Sequence, residues 1–365
     1  MSPMGVVLQG VAFDVSEGCA WDGMVRAMEG RAGPLDAAAA IPAEDVAALG
    51  AAGLVMAPLP CRVGGMGMGT EPQAAGAVFA ALRALGRGNL SVARLFEAHV
   101  NVVRLVVRFG TPAQVDQVAG VCRAGALFGL WVTDAPGQVL HVRNGVLAGV
   151  KGPGSGAGFL RNALVTVHDS GAVRMALVRL NGDEPVEMVG DRLHGMRASA
   201  NGSVRLDGLV PEFVGNDGDY MREPDFSTGA WRTMAATVGG MEALLAAVQV
   251  QLMRRGHDGF ALQQARFGEM AIAVETARLW TWEAGQRSEA EMGAAADLVV
   301  YVNLARIAVE AACLALIQGA QRGLGLGAFV RPNPVERLLR DLAVYLRQPA
   351  ADLVLTEAGL HLLRA

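Results

Sequence analysis

Aromatic side chains are scarce: Phe, Trp and Tyr make up 5% of the 365 residues. That is too few for the stacking platforms that grip single-stranded nucleic acid. Charge is thin as well, at 18%, with 31 basic against 35 acidic residues and a formal net charge of −4. No stretch concentrates Lys and Arg, so the basic face of a nucleic-acid-binding protein is missing and no nucleic acid is expected as a partner. The four cysteines (Cys19, Cys61, Cys122, Cys313) are far apart and form no C-x-x-C pair. They read as reduced packing thiols, which suits a cytoplasmic protein. The six histidines are scattered, with no H-x-x-x-H or H-E-x-x-H unit, and no metal is expected. Long apolar runs are interrupted: Leu298–Ile307 contains Asn303 and Arg306, and Glu310 follows. No membrane span is therefore expected. The stretch Met1–Asp14 lacks a basic n-region, so no secretory signal is expected either.

What the chain does have is apolar mass, at 52% hydrophobic residues and a mean hydropathy of +0.32. Global disorder is excluded, and the length suits about two to three domains. Residues 20–125 are Ala- and Leu-rich with helical spacing, broken at Pro58-Leu59-Pro60 and at Gly64-Gly65-Met66-Gly67. From Leu127 to Val214 the pattern shortens to runs such as Phe128–Thr133, Ala163–His168 and Val173–Leu180. Asn144-Gly145, Asn181-Gly182 and Asp207-Gly208 punctuate these runs and predict hairpins, hence an antiparallel sheet or barrel. After Gly229 helical spacing returns, over Trp231–Met253, Leu262–Gln286, Met292–Gln318, Pro334–Leu346 and Asp352–Leu363. An α, then β, then α order fits neither a doubly wound α/β fold nor a TIM barrel. No strand–GxGxxG–helix unit appears near the start, so a Rossmann nucleotide site is not supported.

Three segments carry possible chemistry. Lys151 to Gly158 is glycine-rich and follows a strand; it either lets a ligand approach the backbone or is a loose turn. Trp131-Val132-Thr133-Asp134 runs into a turn at Pro136-Gly137, where a Thr hydroxyl either meets a polar heteroaromatic ligand or caps the turn. Arg331 to Asp341 reads as a helix start, with Pro334 in the first turn and Glu336 spaced to pair with Arg340. His99, spaced with Leu95 and Val102, reads as a satisfied core histidine.

Taken in order, these pieces resemble the acyl-CoA dehydrogenase family over nearly the whole chain. Leu59-Pro60 with Val63 to Gly67 is similar to the family's proline-then-GGxG segment, and Phe109-Gly110-Thr111-Pro112-Ala113-Gln114 to its YGTxxQ signature. Trp131 to Asp134 stands at the xTEP strand and Lys151 to Ser155 at the KxxxS/T strand. Gly195-Met196-Arg197-Ala198-Ser199 and Pro334 to Asp341 resemble GMRAS and PxERxxRD. The resemblance implies an α+β multidomain fold: an N-terminal helical bundle (1–125), a central antiparallel β-barrel (126–218) and a C-terminal four-helix bundle (219–365). It implies FAD, with Val132, Thr133 and Gly137 lining one flank of the flavin and Pro153, Ser155 and Gly156 the other. Arg255 and Gln264 stand near the family's phosphate-binding RxxFG segment, and Arg232 near its CoA-binding DxxR. An acyl thioester substrate, a homo-oligomer that completes the site, and α,β-dehydrogenation with an acceptor not specified by the sequence are further implications.

The chain departs from that pattern at the chemistry. The family's base is a glutamate that takes the α-proton in a dry pocket, usually in the turn after the PxERxxRD helix. Here the turn reads Arg347-Gln348-Pro349-Ala350, and the alternative position near Ala230 also lacks an acid. Asp352 is near enough to substitute, or it caps the following helix. The missing glutamate leaves open a flavin-dependent monooxygenase of the same fold and a catalytically silent binding or scaffold protein.

Overall fold

The computed structural model describes residues 21–347 and 350–364. The N-terminal helices are α1 (Asp22–Ala38), α2 (Ala43–Ala51), α3 (Ala75–Gly88), α4 (Leu90–Phe109) and α5 (Pro112–Arg123). Local chemistry sets their starts. Asn89 caps α4, its side chain accepting from the Ser91 N–H at 3.0 Å. Thr111 and Gln114 form a reciprocal capping box ahead of Pro112, so the Gly-Thr-Pro-Ala-Gln segment is a helix start.

The strands are β1 (Phe128–Trp131), β2 (His141–Arg143), β3 (Val146–Ala148), β4 (Val150–Gly154), β5 (Asn162–Asp169), β6 (Ala172–Arg179), β7 (Val186–Met188), β8 (Gly202–Arg205) and β9 (Glu212–Val214). They do not close into the expected barrel. One sheet runs β3-β2-β5-β6-β9 with β1 beside β5, and a second runs β4-β8-β7. Nor is the first sheet wholly antiparallel, because β1 pairs in parallel with β5 from Phe128–Asn162 to Trp131–Val165. The reason is connectivity: β1 and β5 are far apart in sequence, and no local pattern reports the direction of so distant a pairing. Asn144-Gly145, both at positive φ, does join paired strands β2 and β3. Asn181-Gly182 and Asp207-Gly208 instead lead from one sheet to the other, while the longest hairpin, β5–β6, turns at Ser170-Gly171. Trp131, Leu147, Val165, Val178 and Val204 fill the core of this β region.

The C-terminal helices are α6 (Asp225–Thr228), α7 (Ala230–Arg254), α8 (Ala261–Glu289), α9 (Ala295–Leu324), α10 (Pro334–Tyr345) and α11 (Ala351–Arg364). A single apolar cluster runs through both helical regions, from Leu85 and Phe96 to Trp231, Val238 and Val302. The seam is a close crossing of α3 and α7. A Cβ on Gly86 would lie 2.1 Å from the Ala236 carbonyl oxygen, and one on Gly239 would lie 2.0 Å from that of Arg83. Only glycine lets the backbones approach so closely.

The membrane expectation needs correcting in one respect. Two helices, Asp225–Arg254 and Ala295–Phe329, are long and apolar enough to cross a bilayer by length and composition. The sequence argument demanded unbroken apolar runs, whereas a helix tolerates isolated charges. The most apolar window of the first is 61% buried within the protein and that of the second 33%. A core helix passes the same test, because it too is apolar on most sides. Cys122 and Cys313 are buried and Cys61 is exposed, while Cys19 and the Met1–Asp14 stretch lie outside the described residues.

His99 ties the helical region to β1. Its Nε2 is 2.9 Å from the Val55 carbonyl, and its Nδ1 accepts from the Phe128 N–H at 3.2 Å, which requires the neutral ring. Burial pushes its pKa down to about 4 from 6.5. Between those values the unfolded chain binds a proton that the folded chain refuses, so stability falls as pH drops through that window. The expected loss is about 3 kcal/mol. Urea midpoints at pH 7 and 4.5 measure it, and His99→Gln, which can donate to Val55 and accept from Phe128, should flatten the dependence.

Candidate functional site

Two of the segments singled out in the sequence lie side by side on the β region. The Gly152 N–H donates to the Thr133 carbonyl at 2.9 Å, and the buried Trp131 indole donates to the Ser155 carbonyl at 2.8 Å. Gly154 packs so close to the Trp131 ring that a Cβ there would lie 2.6 Å from it. Val132, Thr133, Pro153, Ser155 and Gly156 therefore share one edge, with Gly137 just beyond. Gly137 has φ +72° and no atom within 4 Å of a built Cβ, so it faces open space.

One buried lysine fastens this edge. The Lys151 side chain is fully buried; its Nζ lies 2.7 Å from Asp134 Oδ1 and donates to Thr166 Oγ1 at 2.9 Å and the Val132 carbonyl at 3.2 Å. Burial pulls its pKa down, and the Asp134 carboxylate partly opposes this. Asp134 also accepts from the Leu140 N–H at 3.1 Å, closing the turn around Gly137. The aspartate that stands where the family has glutamate is thus the lysine's counter-ion.

The motifs from the second half of the β region and from α10 support the same edge. Asp341 accepts from the Met196 N–H at 2.7 Å, and Ser199 donates to the Met196 carbonyl at 2.7 Å. Asn201 donates to Ser199 at 2.6 Å and accepts from Ser155 Oγ at 3.0 Å. A hydrogen-bonded chain so runs from α10 through the Met196–Ser199 turn to Ser155. Sequence order placed these motifs, but only the fold shows that they are in contact.

Arg255 and Gln264 lie elsewhere, at the end of the helical bundle. Arg255 donates to the Leu324 carbonyl at 3.0 Å, and Gln264 donates to the Asp258 carbonyl at 2.9 Å. Arg255 packs against the 324–327 segment, beside which Gln263, not Gln264, bonds the Gly323 carbonyl, and the hydrogen bonds of both predicted residues stay within this helical end. Arg232 is enclosed at the start of α7, 2.8 Å from Glu289 and 2.5 Å from Asn101 Oδ1. Burial lowers its pKa to about 10 against the pull of Glu289. Asp352 sits in the first turn of α11, exposed, with no side-chain partner among the described residues. Gln348 and Pro349 of the turn before it lie outside the described residues.

Sequence reasoning missed a polar lattice in the interior. Glu97 on α4 is buried and bonds Arg94 and Asn101, while Arg104 reaches Glu289 at 2.8 Å. A signal existed: Arg94, Glu97, Asn101 and Arg104 recur at three- and four-residue spacing, a polar stripe on an otherwise apolar helix. Beside this lattice, next to the turn after α10, lies a space of about 20 Å³, bounded largely by apolar groups such as Ala230, Met234, Val309 and Leu346, with Thr233, Glu310 and Tyr345 at its margin. The large cleft is on the β region instead. It holds about 640 Å³ and is bordered by Pro136, Gln138, Pro153, Pro185, Arg192 and Arg205.

Comparison with known proteins decides the architecture. Residues 24–122 match the family model for the acyl-CoA dehydrogenase N-terminal domain. The butyryl-CoA dehydrogenase of Megasphaera elsdenii superposes with a TM-score of 0.79 at 16% identity, over 93% of this chain and 96% of that one. The chain has the acyl-CoA dehydrogenase fold. Proteins named for different activities share the fold. The HsaA monooxygenase from M. tuberculosis aligns at TM-score 0.78 and 18% identity, covering 94% and 97%. KijD3, solved with FMN and a dTDP-linked amino-keto sugar, aligns at TM-score 0.79 and 19% identity, covering 99% and 95%. No curated protein sequence matches the chain significantly. An acyl-CoA dehydrogenase fold accounts for the α–β–α order and for the convergence of the Met196–Ser199 and Pro334–Asp341 segments.

Proposed function

We propose that the chain is a flavin-dependent oxidoreductase that acts by chemistry needing no α-proton base, of the monooxygenase kind. One observation carries this reading. Beside the turn where the family's base stands, the lining carboxylate among the described residues is Glu310, and Arg347 holds it at 3.2 Å. The space there is about 20 Å³ and is bounded largely by apolar groups, Ala230, Met234, Val309 and Leu346 among them. An acyl chain of several carbons does not fit in that volume without displacing the packed side chains around it. Glu97 is a poor base in this setting, because Arg94 and Asn101 already hold its carboxylate.

The residues of the β edge suit a flavin. Thr133 and Ser155 supply hydroxyls, and Gly137 leaves open space where a flat ring can approach the backbone. When bound, the flavin supplies two-electron chemistry and the activation of oxygen. The chain's part is to position it. Lys151 holds the Val132 carbonyl and Asp134 inward, and Asn201 orients the Ser155 hydroxyl. The separation of Arg255 and Gln264 from this edge supports a homo-oligomer in which a neighbouring subunit contributes them. Light scattering of the purified protein tests that arrangement.

Spectra from 300 to 550 nm, before and after FAD addition and removal of the unbound fraction, should show retained flavin bands. Under anaerobic conditions acyl-CoA thioesters should leave those bands unbleached. A reduced nicotinamide with a flavin reductase should bleach them, and oxygen should restore them. Anaerobic bleaching by an acyl-CoA overturns the reading in favour of dehydrogenation, and absence of any retained flavin leaves a binding protein on an enzyme's fold.

A further inference from the structure

The two places where the family's base would stand, the turn after α10 and the position near Ala230, are flanked here by hydroxyls. Tyr345 ends α10 and Thr233 lies one turn on from Ala230, and both border the space of about 20 Å³. Behind them stands a cation. Thr233 Oγ1 donates to Glu97 at 3.4 Å, and Arg94 donates to Glu97 from the preceding turn of α4. Arg94 spends only Nη1 on that bond; its Nε and Nη2 have no partner among the described residues, and solvent reaches both. Its neighbours Ala93, Leu95 and Glu97 are buried, yet its side chain is 29% exposed, so an opening leads to it. The charges around it are engaged. Arg104 and Arg232 share Glu289, and Asn101 and Thr233 occupy the other Glu97 oxygen. Glu97 raises the Arg94 pKa above its ordinary value, so the cation persists. Burial raises the phenols of Tyr345 and Tyr220 beside it, the second to about 12, so no phenolate competes for it. Two free guanidinium N–H groups with no unpaired carboxylate beside them call for an anionic oxygen group.

We propose that Arg94 binds a carboxylate carried by the substrate. The proposal rests on the reading that this site works without an α-proton base, and it names the substrate class: a small carboxylic acid in its ionised form rather than a neutral acyl group. Nε and Nη2 form one edge of the guanidinium fork, and two parallel N–H groups match the two oxygens of a carboxylate. A phosphate dianion would set twice the charge beside buried Glu97, against the same two donors.

Calorimetric titration of the full chain with acetate and benzoate, each against its amide (acetamide and benzamide), tests the assignment. The proteins are the wild type, Arg94→Gln, Arg94→Lys and Arg192→Gln, the last removing an exposed guanidinium of the β region as a control. The wild type should bind at least one carboxylate about 10-fold or more tightly than its amide. Arg94→Gln should lose that preference. Arg94→Lys should keep part of it, since an ammonium retains the charge without the fork, and Arg192→Gln should keep it whole. The proposal is overturned if the wild type prefers neither carboxylate, if Arg94→Gln retains the preference, or if Arg192→Gln abolishes it. If Arg94→Gln unfolds through loss of the Glu97 partner, Arg94→Lys decides: a reduced preference supports the proposal and an unchanged one overturns it. These titrations need no flavin. A chain that retains none but keeps the Arg94-dependent preference loses the oxidoreductase reading alone, and a flavin-retaining chain without the preference loses only the carboxylate site.

Discussion

Arg340→Ala is expected to cost about 3–5 kcal/mol of stability, because it strips the counter-ion from buried Asp36 and one of two cationic partners from buried Glu336. Arg340 lies on α10 and grips Asp36 of α1 at 2.6 and 3.0 Å with its two Nη groups. It bonds Glu336 one turn back at 2.7 and 2.9 Å and donates to the His194 carbonyl at 2.9 Å. One guanidinium thus ties the first described helix, the C-terminal bundle and the loop that supports Ser155. Burial raises the Glu336 pKa, but hydrogen bonds from Arg340 and Arg331 outweigh it and hold the carboxyl below its ordinary value. Glu336 therefore contributes stability that is present above the ordinary glutamate range and lost as pH falls through its folded value. The variant should show a lowered denaturant midpoint at pH 7 and a weaker acid dependence. Arg340→Lys should recover only part of the loss, since an ammonium cannot reproduce the two-pronged contacts. An Arg340→Ala midpoint equal to wild type would show that the network contributes nothing net.

Lys151→Met should lower stability by about 2–3 kcal/mol and weaken flavin retention with it. The ammonium satisfies Asp134, Thr166 and the Val132 carbonyl from a fully buried position, while Asp134 is 23% exposed and regains some water when the lysine is lost. That exposure sets the cost below that of Arg340→Ala. The larger consequence is geometric, because the turn from Val132 to Gly137 loses the contact that fixes its distance from β4. Chemical denaturation reads the first effect. The flavin absorbance retained after desalting reads the second. A destabilised Lys151→Met variant that keeps its flavin would show that the turn is fixed by backbone hydrogen bonds alone, such as Gly152 N–H to Thr133.

The same contrast between local and distant contacts governs how much of the protein was legible beforehand. Helix starts at Asn89 and Thr111 are written in neighbouring residues, because a cap is a contact over two or three positions. The Asn144-Gly145 hairpin is of the same kind. The Thr133 and Ser155 segments stood out by their glycines and small hydroxyls at strand ends, as a place for ligand approach or as plain turns, and the fold sets them side by side.

The sequence by itself determined the α–β–α order, the apolar periodicity of the helices and the missing acid in the turn after α10, all properties of residues adjacent in the chain. The tertiary structure alone decided which groups meet across it. It arranged the strands as two sheets and set β1 parallel to β5 in the first, separated Arg255 and Gln264 from the Thr133–Ser155 edge, and joined Asp36 to Arg340 across 304 positions. It also turned the polar stripe of α4 inward against Arg232 and Glu289. The physical reason is that buried polar groups must be paired, yet a sequence lists only the groups that need partners. Which of them become partners depends on which elements pack together.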